Sequence, residues 1–155
     1  MKRLLLLSTI TLLALGGCKS HKQEAVVNAV PSLEETDTWQ LTKMRGKKID
    51  YAESQQPVSL KFNPEAGTIS GRSGCNRYFG TYAATSSNLM TFGEVGSTRM
   101  ACPDSFMRLE RQYLQSLSKV DHYELGEYGL LLLQGETVLL EFEKMNPELT
   151  PAENE

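Results

Sequence analysis

Twelve residues from Gly71 to Tyr82, GRSGCNRYFGTY, constrain the fold of this chain more than any other stretch. Gly71 and Gly74 allow bulges or positive φ, and Asn76 tolerates the left-handed region. Tyr78, Gly80 and Tyr82 then share one face of a strand, with Phe79 and Thr81 on the other. A second cluster, TRMACPD from Thr98 to Asp104, supplies a cysteine, Cys102, that can answer Cys75. A strand-like segment lies between the clusters, and the single amphipathic helix of the sequence follows them. The expected product is a small, exported, β-rich domain whose irregular centre is fastened by a Cys75–Cys102 bridge. Two unpaired buried thiols, or one reactive thiol, are the alternatives.

The N-terminus speaks for export. Met1-Lys2-Arg3 is a short basic start, and Leu4 to Leu15 is an apolar run. That run falls short of the ~20 residues a membrane-spanning helix needs. A charged start, a short apolar core and small residues at its end mark a signal peptide. Its end, Leu15-Gly16-Gly17-Cys18, resembles the lipobox of bacterial lipoproteins, in which cleavage before the cysteine frees a thiol that takes up diacylglycerol. The expectation is a signal over residues 1–17, a lipidated Cys18 and attachment to the membrane through that lipid. One acyl chain anchors only marginally, so the three chains of a mature bacterial lipoprotein are needed for a lasting hold. Lys19 is not the aspartate that resembles an inner-membrane retention signal, which favours the outer membrane. An ordinary secretory signal followed by a chance cysteine is the competing reading.

The cysteine count agrees with this. Three cysteines are an awkward number in an oxidising compartment. Assigning Cys18 to lipid leaves Cys75 and Cys102 as an even pair. Loss of Lys2 and Arg3 with the signal takes the formal charge from −3 to about −5. An acidic mature chain without a basic stripe argues against nucleic acid as a partner.

Residues 18–38 are polar and loosely patterned, and they read as a flexible tether. His21 falls in it and is a poor ligand candidate. The folded domain is expected over residues 39–143. Strand periodicity marks Thr38 to Met44, Val58 to Phe62, Thr68 to Ser70 and Leu89 to Phe92, with 93–97 as a loop. Pro103 suits the first position of a helix, and Asp104 its positive end. Phe106, Leu109, Tyr113 and Leu117 recur at helical spacing, with Glu110 and Arg111 looking outward. Val120 to Leu125, Gly129 to Leu133 and Thr137 to Glu143 read as three further strands. Residues 144–155 read as a disordered acidic tail.

Closing the loop of about 27 residues between Cys75 and Cys102 would contribute roughly 3.5 kcal/mol in the chain-entropy model. Against a net stability of about 5–10 kcal/mol that is a large share. The pair GRSGCNRYFGTY and TRMACPD, with Glu110 in the helix, resembles the META domain family of HslJ-like proteins, over Trp39 to Phe142. The resemblance implies a single α+β domain in which a curved, half-barrel-like antiparallel sheet packs on one α-helix. It also implies a part in envelope stress or drug tolerance, and it carries no catalytic residues.

Sharper chemistry is weakly supported by the residues themselves. Ser73 lies in Gly-Arg-Ser-Gly rather than the G-x-S-x-G elbow, between strands rather than at a strand-to-helix turn. Serine attack needs a base, and His122 is the single histidine of the domain. Cys75 with His122 and Asn76 names a cysteine-protease trio that nothing in the sequence brings together. One domain histidine and two cysteines offer no close ligand spacing, so neither metal nor cofactor is expected. Tyr78, Phe79, Tyr82 and Phe92 fit a core better than a ligand groove. Asn76, Arg77, Thr98 and Arg99 flank the expected bridge and form the candidate partner-binding patch. The functional expectation is a non-catalytic envelope lipoprotein that binds an envelope protein or lipid under heat or antibiotic stress. The alternative is an inhibitor of an envelope hydrolase, a lysozyme or a protease.

Overall fold

A computed structural model describes residue 33 and residues 36–51, 55–126 and 129–145. Cys18, His21, most of the tether and the acidic tail beyond Met145 lie outside the described residues. Among the described residues nine strands and one helix appear in the order β1 (Trp39–Met44), β2 (Lys47–Lys48), β3 (Ser59–Asn63), β4 (Thr68–Arg72), β5 (Arg77–Ala84), β6 (Met90–Ser97), α1 (Asp104–Leu117), β7 (His122–Leu125), β8 (Gly129–Gln134) and β9 (Thr137–Lys144). The strands form one antiparallel sheet ordered β6-β5-β4-β3-β1-β9-β8-β7, with β2 folded back on β1. Chain-adjacent strands pair as hairpins, and β1 joins the two halves by lying between β3 and β9.

The sheet curls until its outer strands meet at one corner. Leu89 bridges His122 there, with Met90 N–H donating to Asp121 O (3.0 Å) and Tyr123 N–H to Asn88 O (2.9 Å). This makes a half-barrel and leaves less unpaired edge for association. Alternation puts Trp39, Leu41, Leu60, Phe62, Ile69, Tyr78, Leu130, Leu132, Leu140 and Phe142 in the buried core. Tyr113 and Leu117 of α1 complete that core. The stretch expected as tether is engaged at its end. Leu33 packs on the core, buried Asp37 pairs with Lys144 (2.6 Å), and Met145 N–H donates to Thr38 O (2.7 Å).

Three local expectations are corrected. β6 runs on through Ser97, so residues 93–97 are strand rather than loop. Glycine is tolerated there because Gly96 lies directly under the Phe79 ring across the β5–β6 pair; a Cβ on Gly96 would sit 3.0 Å from Phe79 Cε2. Pro103 is the N-cap (φ −52°, ψ 145°) and Asp104 opens the helix. Asn76 is not in the left-handed region, which is occupied outside glycine by Arg45 and Asn88 among the described residues.

Gly71 shows how tightly the centre is built. It stands opposite Leu60 on one side and Tyr78 on the other. A Cβ there would overlap the Ser59 carbonyl oxygen, with the carbonyl carbon at 2.8 Å and Tyr78 Cε1 at 3.0 Å. Gly71→Ala should therefore cost roughly 3 kcal/mol, the upper range for overpacking. A urea midpoint equal to that of the parent protein would contradict this.

Candidate functional site

Three pieces of chain meet beside the disulfide: the Ser73–Asn76 loop between β4 and β5, the Thr98–Cys102 segment after β6, and α1. Glu110 joins them. Helical periodicity placed it outward with Arg111, but it is only 7% exposed and points into the loop. Its Oε2 accepts from Ser73 Oγ–H (2.9 Å), Asn76 N–H (3.0 Å) and Asn76 Nδ2–H (3.0 Å); its Oε1 lies 3.1 Å from the same Nδ2. Asn76 passes the network onward. Its Oδ1 accepts from Thr98 Oγ1–H (2.9 Å) and Met100 N–H (2.8 Å). Its carbonyl accepts from Ser73 N–H (2.8 Å) and lies 2.9 Å from Ser73 Oγ, where it offers that hydroxyl a second acceptor besides Glu110. A buried carboxylate requires such donors, since an unpaired one would be desolvated without compensation. Asparagine suits this place because its amide donates to Glu110 while its carbonyl accepts from Thr98 and Met100. Aspartate would lack the donor.

The loop that carries these groups depends on Gly74, whose φ of 102° few other residues adopt. Cys75 and Cys102 are joined in a disulfide, with their Cα atoms 6.1 Å apart. The bridge clamps the same two segments that Asn76 connects by hydrogen bonds.

Beneath lies a buried tyrosine pair. Tyr78 and Tyr113 hydroxyls are 2.6 Å apart, and Tyr78 donates to Ser59 O (3.0 Å), which leaves Tyr113 as donor to Tyr78. Burial pushes both hydroxyls far above the ordinary tyrosine range; for Tyr113 the neighbouring Tyr78 adds to it. Burial also pushes Tyr51 up to about 12, and its hydroxyl donates to Leu41 O (2.8 Å). Unfolded tyrosines ionise near pH 10. With the folded values raised, the stabilisation is complete below about pH 10 and is lost as pH climbs above it. In a phenolate absorbance titration, Tyr51, Tyr78 and Tyr113 should stay silent until a cooperative step that coincides with unfolding. Smooth ionisation of every tyrosine near pH 10, with the fold retained, would contradict that burial.

The catalytic alternatives find little support in this geometry. Ser73 has no exposed surface, and its hydroxyl bonds Glu110 and Asn76 rather than a histidine. Cys75 is held in the disulfide. His122 sits on β7 with its Nδ1 2.6 Å from Asp121 Oδ1. That bond, together with the Gly135 N–H (2.7 Å), holds the exposed Asp121 carboxyl below its usual range. Among the described residues no cluster of three potential metal ligands occurs, and no helix is long and apolar enough to cross a membrane.

Of the four residues of the expected patch, Arg77, Thr98 and Arg99 are exposed and Asn76 is not. At 1% exposure, with its amide fully engaged inside, Asn76 positions the surface residues and cannot itself touch a partner. Thr98 contributes its hydroxyl inward as well, accepting from Arg77 N–H (3.2 Å). Two exposed side chains were absent from the expected patch: Phe79, 62% exposed, and Met100, 61% exposed. Phe79, expected in the core with Tyr78, Tyr82 and Phe92, is corrected: strand alternation sets it on the face opposite the buried Tyr78, away from the core. Glu110 gave a weaker signal, a single acid on the margin of an apolar helical stripe.

A half-barrel antiparallel sheet wrapped on one helix, with a disulfide beside a buried Asn–Glu node, defines the class of this protein as a compact α+β domain. The chain belongs to the META domain family, whose model matches residues 32–146. It is similar to a protein from Burkholderia xenovorans solved by NMR, with 28% identity and a TM-score of 0.60, over 74% of this chain and 84% of that one. A second NMR structure, 22% identical, shares the fold with a TM-score of 0.54 over 70% of this chain and 89% of the other. No curated protein matches the chain.

Proposed function

We propose that this protein is a non-catalytic binding module of the bacterial envelope, held at the outer membrane by lipid on Cys18 and serving as an accessory in heat or antibiotic stress. One observation carries the binding reading. The polar groups of the central motif are turned inward onto Glu110 and Asn76, while Arg77, Phe79, Arg99 and Met100 stand exposed around them. Inward-facing chemistry with an outward-facing cationic and apolar rim suits recognition better than turnover. The rim is also rigid: Met100 is held by its N–H, and Cys102 by the bridge, so little ordering entropy is lost on binding. The sequence features of the N-terminus support the anchor and the compartment.

The test is recovery of an envelope protein or lipid from membrane extracts by the purified protein. Arg77→Glu with Arg99→Glu should abolish it while leaving thermal stability unchanged. Equal recovery by parent and variant would remove this rim from consideration. An intact mass of the membrane-extracted protein should show the acyl chains on Cys18.

The second reading, inhibition of an envelope hydrolase, is favoured by the form of residues 98–101. All four are exposed, and the segment is braced by Asn76 and by the bridge at Cys102. A loop so held could occupy a substrate cleft. Met100→Asp should then raise the inhibition constant against a lysozyme or protease of the envelope, and absence of inhibition by the parent protein ends this reading.

A further inference from the structure

The convex side of the sheet, away from the core, gathers positive charge. Register sets its residues in two rows. Gln40, Ser59, Arg72 and Arg77 stand directly opposite one another across β1, β3, β4 and β5. In the next row Lys61, Ser70, Phe79 and Gly96 do the same across β3 to β6. Across β3, β4 and β5 neither row carries a carboxylate; the first row meets one only at Glu143 of β9, opposite Gln40. The salt bridges among the described residues are Lys43–Glu141, Lys144–Asp37 and His122–Asp121, so Lys61, Arg72 and Arg77 are without an acidic partner there. Arg72 and Arg77 are like charges directly opposed across strands, an arrangement that destabilises a sheet unless an anion lies between or beside them. It occurs in a chain whose overall formal charge is −3.

Part of this face is hollow. An open groove of about 280 Å³ is lined by Thr36, Thr38, Gln56, Ser59, Lys61 and Arg72, with Pro57 and Met145 as its apolar edge. Asp37, between two of the lining residues in sequence, is already neutralised by Lys144 at 2.6 Å. Ser59 Oγ accepts from Arg72 N–H (3.2 Å), which leaves its own proton available to a ligand. The groove therefore offers two cations, hydroxyl protons and a side-chain amide, and no carboxylate.

We infer that this groove binds a phosphate group, carried either by a soluble phosphate or by a phospholipid headgroup. A carboxylate would be satisfied by the planar fork of Arg72 alone. A tetrahedral anion has further oxygens, and these can meet Lys61 and Ser59 on the neighbouring strand at the same time. The site goes beyond the rim described above. The residues lining the groove are not those of the rim, and its test needs no partner protein, so either reading can fail without the other.

The experiment follows amide chemical shifts of the whole chain during titration with inorganic phosphate, and in a second arm with glycerophosphoglycerol, the deacylated headgroup of an anionic phospholipid. Saturable shifts at Ser59, Lys61 and Arg72 are expected with at least one of them. A response to the free anion alone indicates a soluble ligand, and a tighter response to the diester indicates a headgroup. Lys61→Gln or Arg72→Gln should weaken binding roughly tenfold, as expected for one charge-assisted hydrogen bond, and the double variant should abolish it. The spectra of the variants report their folding directly, and Lys48→Gln on the remote β2 hairpin should bind as the parent does. Three results overturn the inference: no shifts at these amides with either anion, equal shifts with acetate at matched ionic strength, or equal weakening by Lys48→Gln.

Discussion

Glu110→Gln should destabilise the protein by about 4 kcal/mol, nearly as much as Glu110→Ala, although glutamine keeps the size and shape of the side chain. Both carboxylate oxygens of Glu110 act as acceptors, receiving Ser73 Oγ–H, Asn76 N–H and Asn76 Nδ2–H. An amide replaces one acceptor by a donor and aims it at donors. Hydrogen bonds to a charged group contribute about 1.5–3 kcal/mol each, and removing one side of a buried charged contact costs about 3–5 kcal/mol. For a domain of this size the loss should lower Tm by roughly 15–30 °C. The carboxylate also couples to its partner. Asn76→Ala removes most of the same contacts, so the double variant should be more stable than the sum of the single losses predicts, by about 1–3 kcal/mol. Urea unfolding of the four proteins measures the cycle. A glutamine variant within half a kcal/mol of the parent, or strictly additive losses, would show that the buried node does not hold the centre together.

Reducing the Cys75–Cys102 disulfide, or replacing both cysteines by alanine, should lower stability by roughly 3.5 kcal/mol in the chain-entropy model for a separation of 27 residues. The physical origin differs from that of the glutamate. The bridge acts chiefly on the unfolded chain by limiting its freedom, whereas Glu110 acts on the folded state by pairing buried donors. The folded reduced protein should thus retain its core spectrum and its Asn76 contacts, and lose stability without losing structure. It follows that the effects of reduction and of Glu110→Gln should be nearly additive, unlike those of Glu110 and Asn76. Unfolding with and without a phosphine reductant tests it. A difference below 1 kcal/mol would mean that the bridge does not stabilise this domain.

Much of the architecture was legible in the chain because strand and helix patterns are local. Val58 to Phe62 and Thr137 to Glu143 alternate over neighbouring residues, and the structure places strands at Ser59–Asn63 and Thr137–Lys144. Pro103 and the apolar stripe from Phe106 to Leu117 located α1, which runs Asp104–Leu117. The glycine-bent motif, TRMACPD and the isolated Glu110 pointed to the META domain family before any coordinates, and the family match bears this out. Residues 93–97 were misread because two glycines in five positions look like a loop in isolation. They are strand because Thr81 and Phe79 cover Gly93 and Gly96 from β5, which is a property of the pairing and not of the segment.

Chain chemistry alone determined the odd cysteine count, the helix stripe, the alternating strands and the polarity of the two ends, since each depends on residues close in sequence or on simple counting. Tertiary structure decided what the acid on the helix does, and where the positive charge collects. Glu110 meets Asn76 across 34 residues only because β4, β5 and α1 stack in one register. Lys61, Arg72 and Arg77 are scattered in an acidic sequence and become one face only when β3, β4 and β5 align them side by side. Charge and hydrogen-bonding capacity belong to the residue, but their neighbours belong to the fold.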